Sequence, residues 1–129
     1  MAISFQARIP GTPLGVRMLR REMAGIAKDC GMDAEGIADV RLAVTEAATN
    51  AVIHAYSDAE GELRVTAAIQ DGELAIVIGD TGPGLVEGRH SPGLGLGLSI
   101  IATLAERLKI VNRSSGTEIH MAFPCPNAP

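Results

Sequence analysis

Tryptophan is absent from the 129 residues, and the aromatic side chains are one tyrosine and two phenylalanines. Stacking on nucleic-acid bases, which relies on aromatic faces, is therefore poorly supplied. Positive charge is not in surplus either, because 11 Lys and Arg stand against 15 Asp and Glu, for a formal net charge of −4. A binder of phosphate backbones needs clustered cations, so the partners expected are proteins or small ligands, not nucleic acid. No apolar run is long enough to span a bilayer and no signal-peptide pattern is present, which excludes a membrane role and makes the cytoplasm the expected location. Cysteine is scarce: Cys30 and Cys125 lack metal-type spacing. Two isolated cysteines suggest free thiols in a reducing compartment, while sequence alone leaves a disulfide between them open.

What is present is a folded-protein composition, 47% hydrophobic and 20% charged. The length suits a single domain spanning residues 1–129 with a core of Ala, Leu, Ile and Val. Apolar alternation over Met1 to Ile9 predicts a first strand. Thr12 then Pro13 is a helix start, with Thr as cap and Pro where no amide hydrogen is needed. Leu14, Met18, Met23 and Ile26 give that helix an apolar side, Arg17, Arg20 and Arg21 a basic group, and Gly31 a C-terminal cap. Asp33 can cap a second helix reaching about Tyr56.

Ser57 to Gly61 reads as a turn. Leu63 to Ile69 and Leu74 to Ile78 are strand-like and joined through Asp71-Gly72, a hairpin signal because both residues tolerate positive φ. The second of these strands is nearly continuous in apolar residues and is expected at the centre of a sheet. Gly79 to Gly97 is too rich in glycine to favour either regular structure. A third helix is predicted from Leu98 to Leu108, then strands over Lys109 to Asn112 and Glu118 to Phe123. Three prolines in the last six residues predict a tail, from Pro124 or Cys125 onward. The order is β-α-α-β-β-α-β-β: an α/β protein, a two-layer α/β sandwich whose mixed, mostly antiparallel sheet carries helices on one face.

Chemistry concentrates on the second helix, in RLAVTEAATNAVIHAY. Ile37, Val40, Val44, Ala47, Ala51 and Ala55 form an apolar stripe of helical period. Glu46, Asn50 and His54 recur every four residues and stack in one polar column. Asn and His are weak helix formers, so that column suits a site better than a solvated face. Asp80 follows the central strand, and Gly82 and Gly84 look like a backbone that something approaches closely. Gly93, Gly95 and Gly97 run directly into a helix, whose N-terminal amides form an anion site. No Lys-Ser or Lys-Thr follows them, which excludes a P-loop, and the spacing is not that of a dinucleotide fingerprint. Gly116-Thr117 enters the last strand.

Together, Glu46-x-x-x-Asn50, Asp80-x-Gly82-x-Gly84, Gly93-x-Gly95-x-Gly97 and Gly116-Thr117 resemble the N, G1, G2 and G3 boxes of the GHKL ATPase superfamily. With His54-Ala55-Tyr56 after Asn50, the chain is similar to the anti-sigma-factor serine/threonine kinases of bacterial partner switching. The resemblance implies a Bergerat-type fold that binds ATP and Mg²⁺. It implies Asn50 as the metal ligand and Asp80 as acceptor of the adenine amino group. Gly82 and Gly84 would lie against the base with Thr117 in support, Gly93, Gly95 and Gly97 around the phosphates, and His54 near the nucleotide with no assigned role. Glu46 would be the catalytic base that orients a serine hydroxyl. Partners implied are a small anti-sigma antagonist and a sigma factor or similar regulator, with a homodimer possible. The span between the two glycine groups, Leu85 to Pro92, is short, with Arg89 and His90 as its cations. That shortness motivates an alternative, a nucleotide-dependent switch that binds partners without phosphorylating them.

Overall fold

The computed structural model describes residues 3–55, 61–80, 94–113 and 116–126. Its elements follow the order β1 (Ile3–Pro10), α1 (Pro13–Asp29), α2 (Ala34–Ala55), β2 (Glu62–Gln70), β3 (Glu73–Asp80), α3 (Leu94–Leu104), β4 (Arg107–Arg113) and β5 (Gly116–Pro124). The strands form one sheet in the order β1-β2-β3-β5-β4. A mixed, mostly antiparallel sheet was expected, and every pairing among the described residues is antiparallel. β3 is central, as its apolar run predicts, and β1 and β4 are the edges.

Local chemistry sets the element ends. The Thr12 hydroxyl accepts from the Gly15 amide at 3.1 Å, with Pro13 in the first turn. Cys30 caps α1 and Gly31 follows at φ 86°. Asp33 opens α2 by accepting from the Gly36 amide at 2.8 Å, satisfying a donor that the first turn leaves unpaired. Asp71 and Gly72 take φ values of 55° and 79°, the left-handed pair that a two-residue hairpin requires.

One layer of helices covers one face of the sheet, with α2 packed between α1 and α3. Cross-strand rungs face it. Phe5, Ala67, Ile76, Met121 and Leu108 form one, and Ala7, Val65, Ile78, Ile119 and Ile110 the next. Of α2's predicted stripe, Val40, Val44, Ala47 and Ala51 are buried and Ile37 is partly buried, joined by buried Ala43 and Ala48. Small side chains on that face let the helix sit close to its neighbours. The Ala55 side chain lies outside the described residues.

Three further expectations need correction. On α1 the buried stripe is Val16, Leu19, Met23 and Ala27, while Leu14 and Met18 are 60% and 50% exposed. Both sets have helical spacing. The contact with β1 selects the former, because Gly15 lies so near Pro10 that a Cβ there would sit 1.9 Å from its carbonyl oxygen. The third helix begins at Leu94 and ends at Leu104, so Gly95 and Gly97 are helical and Leu108 belongs to β4. Glycine costs a helix roughly 1 kcal/mol per residue, a penalty that close packing of Gly97 against α2 can offset. Leu108 fits a helix with Leu104 but equally alternates with Ile110, and the β5 ladder takes it.

The third correction concerns the cysteines. Cys30 and Cys125 form a disulfide with their Cα atoms 5.4 Å apart, and neither is free. Ninety-five residues separate them in sequence, a distance across which spacing carries no information about contact. The fold brings the end of α1 against the end of β5, and the argument for a reducing compartment from free thiols no longer applies. Cys125 is buried and its amide donates to the Gly72 carbonyl at 2.9 Å, so the chain stays anchored one residue past β5 where a tail was expected.

Candidate nucleotide site

Past the two apolar rungs the sheet changes character. The next rung starts with Ile9 and Leu63, both buried, and continues with Asp80, which pairs with Leu63. The β3–β5 register, carried one residue beyond Gly79 and Glu118, sets Thr117 opposite Asp80, and Thr117 pairs in turn with Asn112 of β4. An apolar ladder thus ends in a polar rung of Asp80, Thr117 and Asn112 on the face that the helices cover. Gly116 holds the first two together. Its φ is 143°, and a Cβ there would lie 2.1 Å from the Asp80 carbonyl oxygen. Backbone that close, in a conformation L-residues avoid, requires glycine.

Asn50 comes from the penultimate turn of α2, and residues 56–61 alone link α2 to β2, whose first residues flank Asp80. Across from it lies the first turn of α3. A Cβ on Gly97 would come within 2.8 Å of the Asn50 Nδ2 and 3.1 Å of its Oδ1, so the carboxamide is laid against the α3 backbone. Gly95 lies in the same turn, where backbone amides have no partner within the helix and the dipole favours an anion.

Burial isolates this group from the rest of the molecule. Among the described residues the buried polar or charged side chains are Asn50, Asp80 and Thr117, exposed by 7%, 7% and 8%. All three were picked from sequence. The Asn50 Nδ2 is buried with no hydrogen-bond partner among the described residues. Buried amides are nearly always paired, and an orphan here fits a carboxamide whose partner is a bound group. No cluster of three acidic, His or Cys side chains exists among the described residues. One buried carboxamide oxygen is compatible with Mg²⁺, which needs few protein oxygens when phosphates and waters supply the others.

The remaining candidates divide. Glu46 is half-buried on α2, one turn before Asn50. His54 lies on the last turn of α2, its side chain outside the described residues, as are Gly82, Gly84, Gly93 and the short span with Arg89 and His90. Asn112 was missed. Its signal was available, since it continues the Leu108–Ile110 alternation onto the covered face and stands opposite Thr117. The Thr117 hydroxyl donates to the Asn112 Oδ1 at 3.2 Å.

Comparison with known proteins identifies the family and the fold. Residues 9–123 match the family model described as a histidine kinase-like ATPase domain. A serine-protein kinase RsbW from Bacillus thuringiensis is 31% identical over 125 residues, covering 84% of this chain and 77% of the relative. RsbW from Bacillus velezensis is 31% identical over 130 residues, covering 88% and 81%. In structure, the RsbU and RsbW domains of a Mycobacterium tuberculosis protein superpose with a TM-score of 0.75 at 23% identity, over 95% of this chain and 32% of that one. A histidine kinase domain from Erythrobacter litoralis superposes with a TM-score of 0.59 at 20% identity, over 87% and 60%. These two likenesses concern the fold, an α/β sandwich of the same type. The chain belongs to the histidine kinase-like ATPase domain family and resembles the serine-protein kinases within it.

Proposed function

We propose that this protein is an ATP-dependent serine/threonine protein kinase of the anti-sigma-factor type, which phosphorylates a small anti-sigma antagonist and binds a sigma factor or similar regulator. The observation that carries the proposal is the burial of Asn50, Asp80 and Thr117 alone among polar side chains of the described residues, at one end of the sheet. Asn50 would hold Mg²⁺ through its side-chain oxygen, and the ion would neutralise phosphate charge during transfer. The Asp80 carboxylate is suited to accept from the adenine amino group, with Thr117 beside it. The amides of the first turn of α3, with Gly95 and Gly97 among them, favour the phosphates, and the proposed phosphate cradle includes Gly93. Gly82 and Gly84 are assigned to the base and His54 to the nucleotide's vicinity on the sequence motif.

Glu46 is the proposed base. It accepts the proton of a serine hydroxyl as that oxygen bonds to the γ-phosphorus and the β–γ bridging bond breaks, releasing ADP. Such transfer rests on positioning and charge neutralisation more than on covalent help from the protein. The test pairs nucleotide titration with phosphotransfer. Asn50→Ala should abolish Mg-ATP binding, whereas Glu46→Ala should bind nearly normally and transfer ~10²-fold more slowly or worse, the usual contribution of a positioned base. Undiminished transfer in the Glu46 variant removes that residue from the mechanism.

The short span from Leu85 to Pro92 favours a second reading, a nucleotide-dependent switch that captures partners without modifying them. Mg-ATP binding with partner capture but no phosphoserine, across a panel of serine-bearing antagonist domains, would select it.

A further inference from the structure

A cleft of about 450 Å³ lies at the end of the molecule opposite the polar rung, where the start of α2, the end of α3 and the end of β5 meet. Its apolar lining includes Met32, Leu104, Phe123, Pro124 and Pro126. Met32 and Leu104 are only partly buried, so apolar surface there stays open to solvent. The Cys30–Cys125 bond ties the two walls together, because Gly31 and Met32 follow one cysteine while Pro124 and Pro126 flank the other. A cleft held in shape beforehand loses less on binding than one that must form. The charged lining is wholly acidic: Asp33, Glu35 and Asp39, with no Lys, Arg or His among the described residues that line it. Two of these carboxylates have a reason within the helix. Asp33 accepts from the Gly36 amide, and Glu35 lies in the first turn of α2, where negative charge is favoured. Asp39 has neither. It is half-buried, one turn further on, and makes no ion pair among the described residues. A carboxylate partly withdrawn from water gains from a cation brought to it.

We propose that this cleft docks a basic, amphipathic segment of a protein partner, with Lys or Arg meeting Asp39 and Glu35 and an apolar side chain covering Met32 and Leu104. Charge selects that occupant. An all-acidic rim repels nucleic acid, anionic membrane surfaces and acidic protein segments alike. A partner drawn here is therefore opposite in charge to one drawn to the arginines of α1. Asp39 precedes Asn50 by eleven positions on α2, about 16 Å along the axis at 1.5 Å per residue, and neither Asn50, Asp80 nor Thr117 lines the cleft. Docking at this end thus holds whether or not the other end takes a nucleotide.

The test is fluorescence anisotropy of three short labelled peptides titrated with the full chain: one of Lys and Leu, one of Glu and Leu, one of Lys and Ser. The Lys–Leu peptide should bind best, since it alone supplies both the cation and the apolar contact. The double variant Glu35→Gln, Asp39→Asn should weaken it by about tenfold, within the range that two exposed ion pairs allow. A second double variant, Glu22→Gln with Asp71→Asn, removes the same charge from exposed positions elsewhere and should bind as the wild type does. Undiminished binding in the Glu35, Asp39 variant overturns the proposal. Equal weakening in both variants also overturns it, because the attraction would then be to net charge and not to the cleft. A Lys–Ser peptide that binds as tightly as Lys–Leu removes the apolar part, and with it the amphipathic partner. Self-association in sedimentation that only the Glu35, Asp39 variant loses would assign the cleft to a second copy of the chain and overturn the occupant proposed.

Discussion

At the scale of single residues the site is defined by what glycine leaves open. Gly97 lies in the first turn of α3 with the Asn50 carboxamide pressed against it, and a methyl group at that position would sit 2.8 Å from the Asn50 nitrogen. Two effects of Gly97→Ala then oppose each other. Within a helix, alanine is favoured over glycine by about 0.8–1.0 kcal/mol, which stabilises the fold. Against this, the buried Asn50 side chain must move to make room, and it is the proposed metal ligand. Shifts that disturb a ligand's orientation typically cost about 10–100-fold in metal affinity. The expected result is a protein whose thermal midpoint is unchanged or higher but whose Mg-ATP affinity, measured by titration, is lower by about that factor. Intact affinity would mean that Asn50 does not hold the metal.

Among elements, the joint between α1 and β5 is covalent. Cys30 caps the helix, Cys125 follows the strand, and the bond between them closes a loop spanning most of the chain. Cross-links over loops of that length restrict the unfolded state most, and a native disulfide contributes about 2–4 kcal/mol. Replacing both cysteines by alanine should lower the free energy of unfolding in denaturant by about that amount. Because the bond lies at the ends of α1 and β5, away from the Asp80 rung, nucleotide affinity should persist in the folded fraction. A double variant as stable as the wild type would show that the bond adds nothing to the folded state. The joint also marks the limit of what the sequence discloses. The Thr12-Pro13 and Asp33 helix starts, the Asp71-Gly72 hairpin and the central place of β3 were legible because each depends on chemistry within a few residues. Asn50, Asp80 and Thr117 were legible because a family motif joins positions far apart. The Cys30–Cys125 pairing was not, since it depends on which helix end meets which strand end, and although alternation marks Asn112 for the covered face, its bond to Thr117 depends on which strand lies beside β5. The start of α3 was hidden by glycine's low helix propensity, and the buried stripe of α1 by a rival stripe of equal period.

For the whole molecule, charge separates two functions in space. The net charge is −4, yet Arg17, Arg20 and Arg21 of α1 and Arg41 of α2 converge on a cleft of about 270 Å³ between the two helices. Guanidinium groups stay charged at any physiological pH, so a positive patch persists on an acidic protein. Such a patch steers an acidic partner and repels basic ones, which makes it a testable contact surface for the proposed antagonist or regulator. The exposed Leu14 and Met18 stand at i and i+4 with Arg17 and Arg21 at i+3 and i+7, so they extend the same side of α1. Arg41 precedes Asn50 by nine positions on one helix, about 14 Å along the axis at 1.5 Å per residue. That exceeds the Debye length of about 10 Å at 0.1 M salt, so the cleft and the nucleotide pocket should respond independently. Reversing charge with Arg20→Glu and Arg21→Glu should therefore slow association with an acidic antagonist domain by about tenfold or more, and added salt should slow the wild type in the same way. Mg-ATP affinity in the same protein should stay within about twofold of wild type. Loss of both together would mean that the arginines act on the fold or the pocket, and partner binding would have to be sought on another face.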